Sequence, residues 1–431
     1  MKRNHILASI ILLVPVALGA ITPRQEIAQN PAKAGGVYFA YPTEEISLEY
    51  GTKAPKGYEP FYLSHYGRHG SRYLISDKDY KRVIDRLADA EEAGALTQEG
   101  LKLKKQLDTI WIEARGRGGE LTPLGNRQHK GIAQRVAKAY PEIFACDAIV
   151  NAASTPVMRC AHSMFSFIEG LKEFNPTLEI PRESAERNMF YLNYHSKESG
   201  PYSSERGPWF QDYKRFKEKK TNPDRLIKNL FSNQDYVDRW FDPKEFMWDL
   251  YWVAVDLQNM ETDINLLPLF TNEELFNLWE VFNFNFYACN SSYPRANGLH
   301  IANAKNLVDH IITNADKYIA EGKHGATLRF GHDGNIIPLT ALLGLEGCYS
   351  DVENPDRLAE SYADFRISPM ASNLQMVFFR KIGSSDNNDV LVRIYLNEQD
   401  RSLPLEKIHE YYYRWEDLRP YLKNIVHSPA K

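Results

Sequence analysis

Only four cysteines, Cys146, Cys160, Cys289 and Cys348, occur in 431 residues, and no two of them form a CxxC pair. The commonest zinc and thiol-redox motifs are therefore absent. The 12 histidines show no HExxH or comparable ligand spacing, so neither a metal nor another cofactor is expected. Internal repeats and low-complexity tracts are lacking too, which excludes collagen, coiled coil and extended disorder. Long apolar runs are missing with one exception, Ile6 to Ala20, which follows Lys2 and Arg3 and ends in Ala17-Leu18-Gly19-Ala20. About 15 apolar residues fall short of the roughly 20 that a spanning helix needs. A basic start, a short apolar middle and a small-residue end match a secretory signal peptide. Residues 1–20 are therefore expected to be removed, leaving a secreted or periplasmic chain with no membrane anchor.

Positive charge is not in excess. There are 52 basic and 56 acidic residues; without Lys2 and Arg3 the count is 52 − 2 = 50 against 56, a net −6. Bulk charge thus argues against a nucleic-acid partner, and an anionic ligand has to be drawn by a local cluster. In an oxidising compartment four cysteines permit two disulfides in any of three connectivities, and buried free thiols are the other reading.

What the chain does have is core material, with 43% apolar residues, 25 Tyr, 21 Phe and 7 Trp. Its length exceeds the roughly 250 to 300 residues at which single cores stop growing, so a main domain with a second lobe is expected. Tyr58 to Tyr66 reads as a buried strand ahead of an Arg68-His69-Gly70-Ser71-Arg72 loop. Tyr80, Val83, Ile84, Leu87 and Ala88, behind the caps Ser76 and Asp77, mark an amphipathic helix. A second helix is read from Thr97 to Ala114, and a third opens at Thr122-Pro123 and ends at Tyr140. Ala148 to Ala153 is a short strand, and Ser154-Thr155-Pro156 repeats the cap-plus-Pro signal, putting Arg159 in the first turn of the next helix. Residues 171–298 carry aromatic-rich helical patterns. After a helix from about His300 to Glu321, the strand Ala326–Phe330 leads to His332-Asp333 and a helix closed by Gly344. Leu374 to Arg380 and Val390 to Leu396 are the last β patterns. The expectation is an α/β three-layer sandwich: a central, mostly parallel sheet built from residues 21–170 and 299–431, with a helical cap lobe, 171–298, inserted.

Arg68, His69 and Arg72 set two guanidinium forks around one imidazole immediately after a strand. Arginine matches phosphate oxygens bidentately and keeps its charge, so this is a phosphate pocket with a nucleophile inside it. Gly70 is read as leaving the backbone free to approach a ligand. His65 is assigned to packing, and His129, His162, His300, His310 and His409 to packing or solvent.

With RHGSR at 68–72, Leu121-Thr122, Gly125, Gln128, Gly131 and Arg135, the STPVMR segment ending at Arg159, and His332-Asp333-Gly334-Asn335, the chain resembles the histidine phosphatase superfamily in its acid phosphatase and phytase branch. The segment AGGVYFAYPT and Tyr73 after RHGSR resemble the multiple inositol polyphosphate phosphatase subgroup, whereas HD at 332–333 stands where that subgroup commonly has HAE. The resemblance implies a phosphohistidine on His69, a clamp of Arg68, Arg72, Arg159 and His332, and Asp333 as proton donor, with no metal. It implies a small-molecule phosphate ester, inositol polyphosphate such as phytate, as substrate. In the lobe, Arg182, Arg187, His195, Lys197 and Arg206 are possible contacts for distant phosphates, Arg187, His195 and Lys197 foremost. Two alternatives stay open: a broad phosphatase acting on sugar or nucleotide monoesters, and a protein that binds inositol phosphates without turnover.

Overall fold

The structure, a computed structural model, describes residues 21–52, 54–384 and 389–428. The expected signal segment 1–20 lies outside them. One eight-stranded sheet organises the molecule: β1 (Tyr58–Arg68), β2 (Ile149–Ser154), β3 (Arg182–Ser184), β4 (Gly325–Gly331), β5 (Asn373–Lys381), β6 (Val390–Leu396), β7 (Gln399–Asp400) and β8 (Tyr412–Arg414). The order is β3-β2-β4-β1-β5-β6-β7, with β8 paired to β6. β3, β2, β4 and β1 run parallel, β5 is antiparallel to β1, and β6 turns back again. The expected α/β sandwich with a mostly parallel sheet is borne out.

Alternation along the strands builds two cores, one on each face. Tyr62, Tyr66, Met376, Phe378, Val392 and Ile394 belong to one cluster. Leu63, Leu328, Phe330, Val377, Phe379 and Leu391 belong to the other. The second face is covered by the helices Pro123–Ala139 and Met158–Phe174, through Ile132, Val136, Met164, Phe167 and Leu171. The first is covered by the helix Lys305–Glu321 and by a large helical region that includes Pro243–Asp256 and Asn272–Asn290.

Several expected elements form within a residue or two of their read positions. Helix Asp77–Glu92 is capped by Ser76 in a capping box with Asp79, and Gln98–Ala114 is capped by Thr97. Three features differ. Arg182–Ser184 lies in the stretch read as helical, yet extends the sheet by pairing with β2. Helix Trp415–His427 was not expected; Pro420 lies inside it, and burial of Trp415, Leu418 and Leu422 outweighs the proline's cost. The helix after β2 begins at Met158 rather than at Pro156. Its N-cap is Val157, which offers no side-chain cap, and the Thr155 hydroxyl, ahead of the helix, lies 3.2 Å from His332 Nε2. All four cysteines are free thiols, Cys160 and Cys348 buried and Cys146 exposed. Among the described residues no helix is long and apolar enough to cross a membrane.

Candidate active site

The carboxyl ends of β1, β2 and β4 meet at one cavity of about 410 Å³, whose lining includes His69, Arg72, Arg159, His332 and Asp333. Arg68 is fully buried beside it. The three chain segments thus converge where parallel α/β sheets ordinarily bind ligands.

The loop after β1 is clamped from several sides. The His69 amide donates to the Gly331 carbonyl (3.0 Å) and the Arg68 amide to the Ser372 carbonyl (2.7 Å). The Ser71 amide donates to Gln128 Oε1 at 2.8 Å, and Gln128 Nε2 returns a 2.8 Å bond to Ser71 Oγ. The Thr122 amide and hydroxyl both donate to the Ser71 carbonyl, at 2.9 and 3.1 Å. Gly70 also packs against a helix: a Cβ on it would sit 2.6 Å from the Gly125 carbonyl oxygen. Ser163 Oγ accepts from the Gly70 amide (3.1 Å) and donates to the Arg159 carbonyl (2.8 Å), so one hydroxyl ties the loop to the helix that carries Arg159.

His69 Nδ1 lies 2.9 Å from the Gly70 carbonyl oxygen. A carbonyl only accepts, so Nδ1 carries the proton and Nε2 keeps the lone pair. Burial, then the Arg68, Arg159 and Arg72 charges and His332, hold the imidazole's pKa well below its usual value, so it is neutral. The His332 ring stands edge-on to it, 5.7 Å between centroids. Burial foremost, with Arg159, Arg68 and His195 adding to it against the opposing Asp333, brings His332 down to about 4.

Arg68 Nη1 donates to the carbonyls of Val37 and Ser368, which fixes the fork, and Nη2 lies 2.7 Å from Asp333 Oδ2. This contact is an ion pair without hydrogen-bond alignment, because Nη2, like the Nε atoms of Arg68, Arg72 and Arg159, has no hydrogen-bond partner among the described residues. Arg72 lies over the Tyr38 ring at 4.7 Å and donates to the Tyr73 carbonyl at 2.8 Å. Buried guanidinium donors left unspent on protein are suited to an oxyanion. Asp333 opens the helix Asp333–Leu342, and its Oδ1 accepts from the Gly334 amide at 2.8 Å.

This constellation belongs to a recognisable family. The profile of the histidine phosphatase superfamily (branch 2) matches residues 67–397. The chain is a member of that superfamily. Its type is that of a histidine acid phosphatase, a phosphomonoester hydrolase. Solved structures share the fold of this phosphatase. The Bifidobacterium longum multiple inositol polyphosphate phosphatase in complex with inositol hexasulfate has TM-score 0.69 at 19% identity, covering 90% of this chain and 97% of that one. The phytase from D. castellii has TM-score 0.66 at 16% identity over 92% of this chain and 85% of that one. The Citrobacter braakii phytase has TM-score 0.55 at 13% identity over 86% and 98%. No curated protein sequence matches the chain.

The lobe residues divide. The His195 ring comes beside Gly334, 3.9 Å from where a Cβ there would stand. Arg187 does not line this cavity; it pairs with Glu183 at 2.5 Å and faces a different cleft. Lys197 is exposed and absent from the cavity's lining. His65 is packed, with Phe167 and Phe330 ring centroids at 4.8 and 5.3 Å. Sequence reading missed Tyr38, Trp252, Phe282, Phe286 and Arg82, which form the cavity's other wall. Tyr38 falls in the AGGVYFAYPT segment, the one signal that pointed near it.

Proposed function

We propose that the protein hydrolyses phosphate monoesters of inositol polyphosphates through a phosphohistidine on His69. The observation that carries this reading is the convergence of three arginines and His332 around one neutral imidazole whose free lone pair is on Nε2. Nε2 attacks phosphorus as the ester P–O bond breaks, and the Asp333 carboxyl gives its proton to the departing alkoxide. A water then attacks the phosphohistidine while the Asp333 carboxylate takes the water's proton, and inorganic phosphate and neutral His69 result. Charge on the equatorial oxygens is met by Arg68, Arg72, Arg159 and His332, the term that dominates a loose phosphoryl transfer. Stretch 171–298 acts as the cap: it supplies Trp252, Phe282 and Phe286, and His195 at the rim. Residues 1–20 direct the chain to the periplasm or the medium, consistent with Lys2, Arg3 and the apolar run to Ala20.

The aromatic wall favours a second reading, a broad phosphatase. Trp252, Phe282, Phe286 and Tyr38 offer flat apolar surface to a leaving group, and Arg82, the added cation, is already paired with Asp79 and Asp249. Turnover on phytate, glucose phosphates and p-nitrophenyl phosphate separates the two readings, since a flat profile selects the broad enzyme. His69→Ala should lose nearly all turnover yet bind phosphate, and acid-quenched wild type should carry phosphohistidine. A variant that keeps a substantial rate, with no phosphoenzyme in wild type, rejects the covalent route.

A further inference from the structure

A second cleft, of about 590 Å³, opens at the β3 side of the sheet, away from His69. Its lining includes Arg182, Arg187, Lys317 and Arg329 against a single carboxylate, Glu183. In a chain of net charge −4 this is a local reversal of sign. Arg329 is the decisive member. It lies on β4, is fully buried, and has no carboxylate partner among the described residues. Its Nε donates to His310 Nδ1 (2.9 Å) and its Nη1 to Ser64 Oγ (3.0 Å), while Nη2 has only a 3.5 Å approach to the His310 carbonyl. A buried guanidinium satisfied by neutral groups alone carries a desolvation cost that a counter-anion offsets.

The donors around it are organised. His310 stacks on Tyr191 with centroids 3.9 Å apart and planes at 7°. Because Arg329 can only donate, His310 Nδ1 is the acceptor and the ring proton is on Nε2, so a second donor belongs to the cleft's lining. Burial and the Arg329 charge keep that ring neutral, at about 3. Asn151, Asn314 and Thr327 complete a polar lining. Lys317 makes no ion pair among the described residues; Glu321, the carboxylate one turn on, pairs with Lys323 at 2.8 Å. The Arg182 guanidinium makes no ion pair among the described residues and lies 5.9 Å from the Phe165 ring centroid.

We propose that this cleft is a second anion site, separate from the catalytic pocket, that takes a phosphorylated small molecule. Arginine forks and an ammonium in a cleft of ligand size suit clustered phosphate oxygens. The ligand is either released inorganic phosphate or an intact polyphosphate, and the two are separated by their probes.

The test is calorimetric titration of the full-chain protein with inorganic phosphate in one arm and non-hydrolysable inositol hexasulfate in the other. Wild type should bind two molecules per chain of at least one probe. The arm that shows the second site names the ligand's source. Arg159→Ala, which cripples the catalytic pocket, should retain this site, and adding Lys317→Glu or Arg182→Glu should weaken it by at least about tenfold. Lys317 and Arg182 are exposed, and unchanged thermal melts will exclude unfolding as the cause. One site per chain with both probes, or residual binding in Arg159→Ala that neither charge reversal alters, overturns the proposal.

Discussion

Asp333 and His69 face opposite demands at neutral pH. Burial alone would raise the Asp333 carboxyl, but Arg68 first, then His332, Arg72 and the Gly334 amide, hold it below the usual carboxylate value. The free enzyme therefore holds Asp333 ionised and His69 neutral. A bound phosphate dianion competes for Arg68 and brings negative charge to Asp333, both of which raise its proton affinity. In the proposed mechanism the acid is thus armed by the substrate. Asp333→Asn should cost roughly 10² to 10⁴ in the phosphorylation step for an inositol phosphate and far less for p-nitrophenyl phosphate, whose leaving group needs little help. Single-turnover rates read that step alone, and equal losses on both esters would reject Asp333 as the acid. The alkaline limb of kcat, where Asp333 loses its proton in the complex, should also vanish in the variant. Arg68, His69 and Arg72 were legible in the sequence as two guanidinium forks around an imidazole after a strand, whereas Arg159 and His332 were joined to them by the family resemblance. Trp252, Phe282 and Phe286 were not, since single aromatics on core helices look like any others until the fold turns them to one cavity.

At the scale of elements, the site depends on the N-terminus of helix Pro123–Ala139 as much as on the loop it supports. Thr122 caps that helix by accepting from the Gly125 amide at 3.2 Å, and the same hydroxyl donates to the Ser71 carbonyl. Gly125 is where the helix backbone passes the loop, and a Cβ there would stand 2.3 Å from the Ser71 carbonyl oxygen. Gly125→Ala should therefore push the 68–72 loop off its geometry, with an overpacking cost of about 1 to 3 kcal/mol. A matching fall in thermal midpoint and a larger fall in kcat than in phosphate affinity would show it; unchanged kcat would mean the helix yields instead. Caps and apolar spacing made helices Asp77–Glu92, Gln98–Ala114 and Pro123–Ala139 readable. Arg182–Ser184 was hidden because three residues cannot display a period, and Thr155 is no cap because the helix starts later, at Met158. Arg187, a possible contact for distant phosphates on charge, instead follows β3 and lines a different cleft.

Two cores and a helical region pressed around one sheet bury an unusual set of ionisable groups, and their balance sets how the molecule meets acid. Burial foremost holds His65 and His69 well below their ordinary pKa, and brings His129 and His310 to about 3 and His300 and His332 to about 4. Burial also raises Asp256 to about 7 and Asp364 to about 6. A histidine depressed in the fold stabilises it fully above 6.5, the unfolded value, and that contribution is lost as pH falls towards the folded pKa. An aspartate raised in the fold acts oppositely: its penalty is absent below 3.8 and grows as pH rises towards the folded pKa. Between about pH 4 and 6.5 the unfolded chain takes up more protons: seven histidines, His195 included, are depressed in the fold against four raised carboxyls, Asp256, Asp364, Asp249 and Glu280, and each proton is worth about 1.4 kcal/mol per pH unit as a ceiling. Stability should therefore fall as pH drops from 7.5 to 4.5. Denaturant midpoints across that range measure the slope, and His129→Gln, which removes one buried histidine packed edge-on to Phe330, should flatten it by close to one proton. A midpoint that rises with acid would mean that Asp256 and Asp364 dominate, and that the buried imidazoles take up protons without opening the fold.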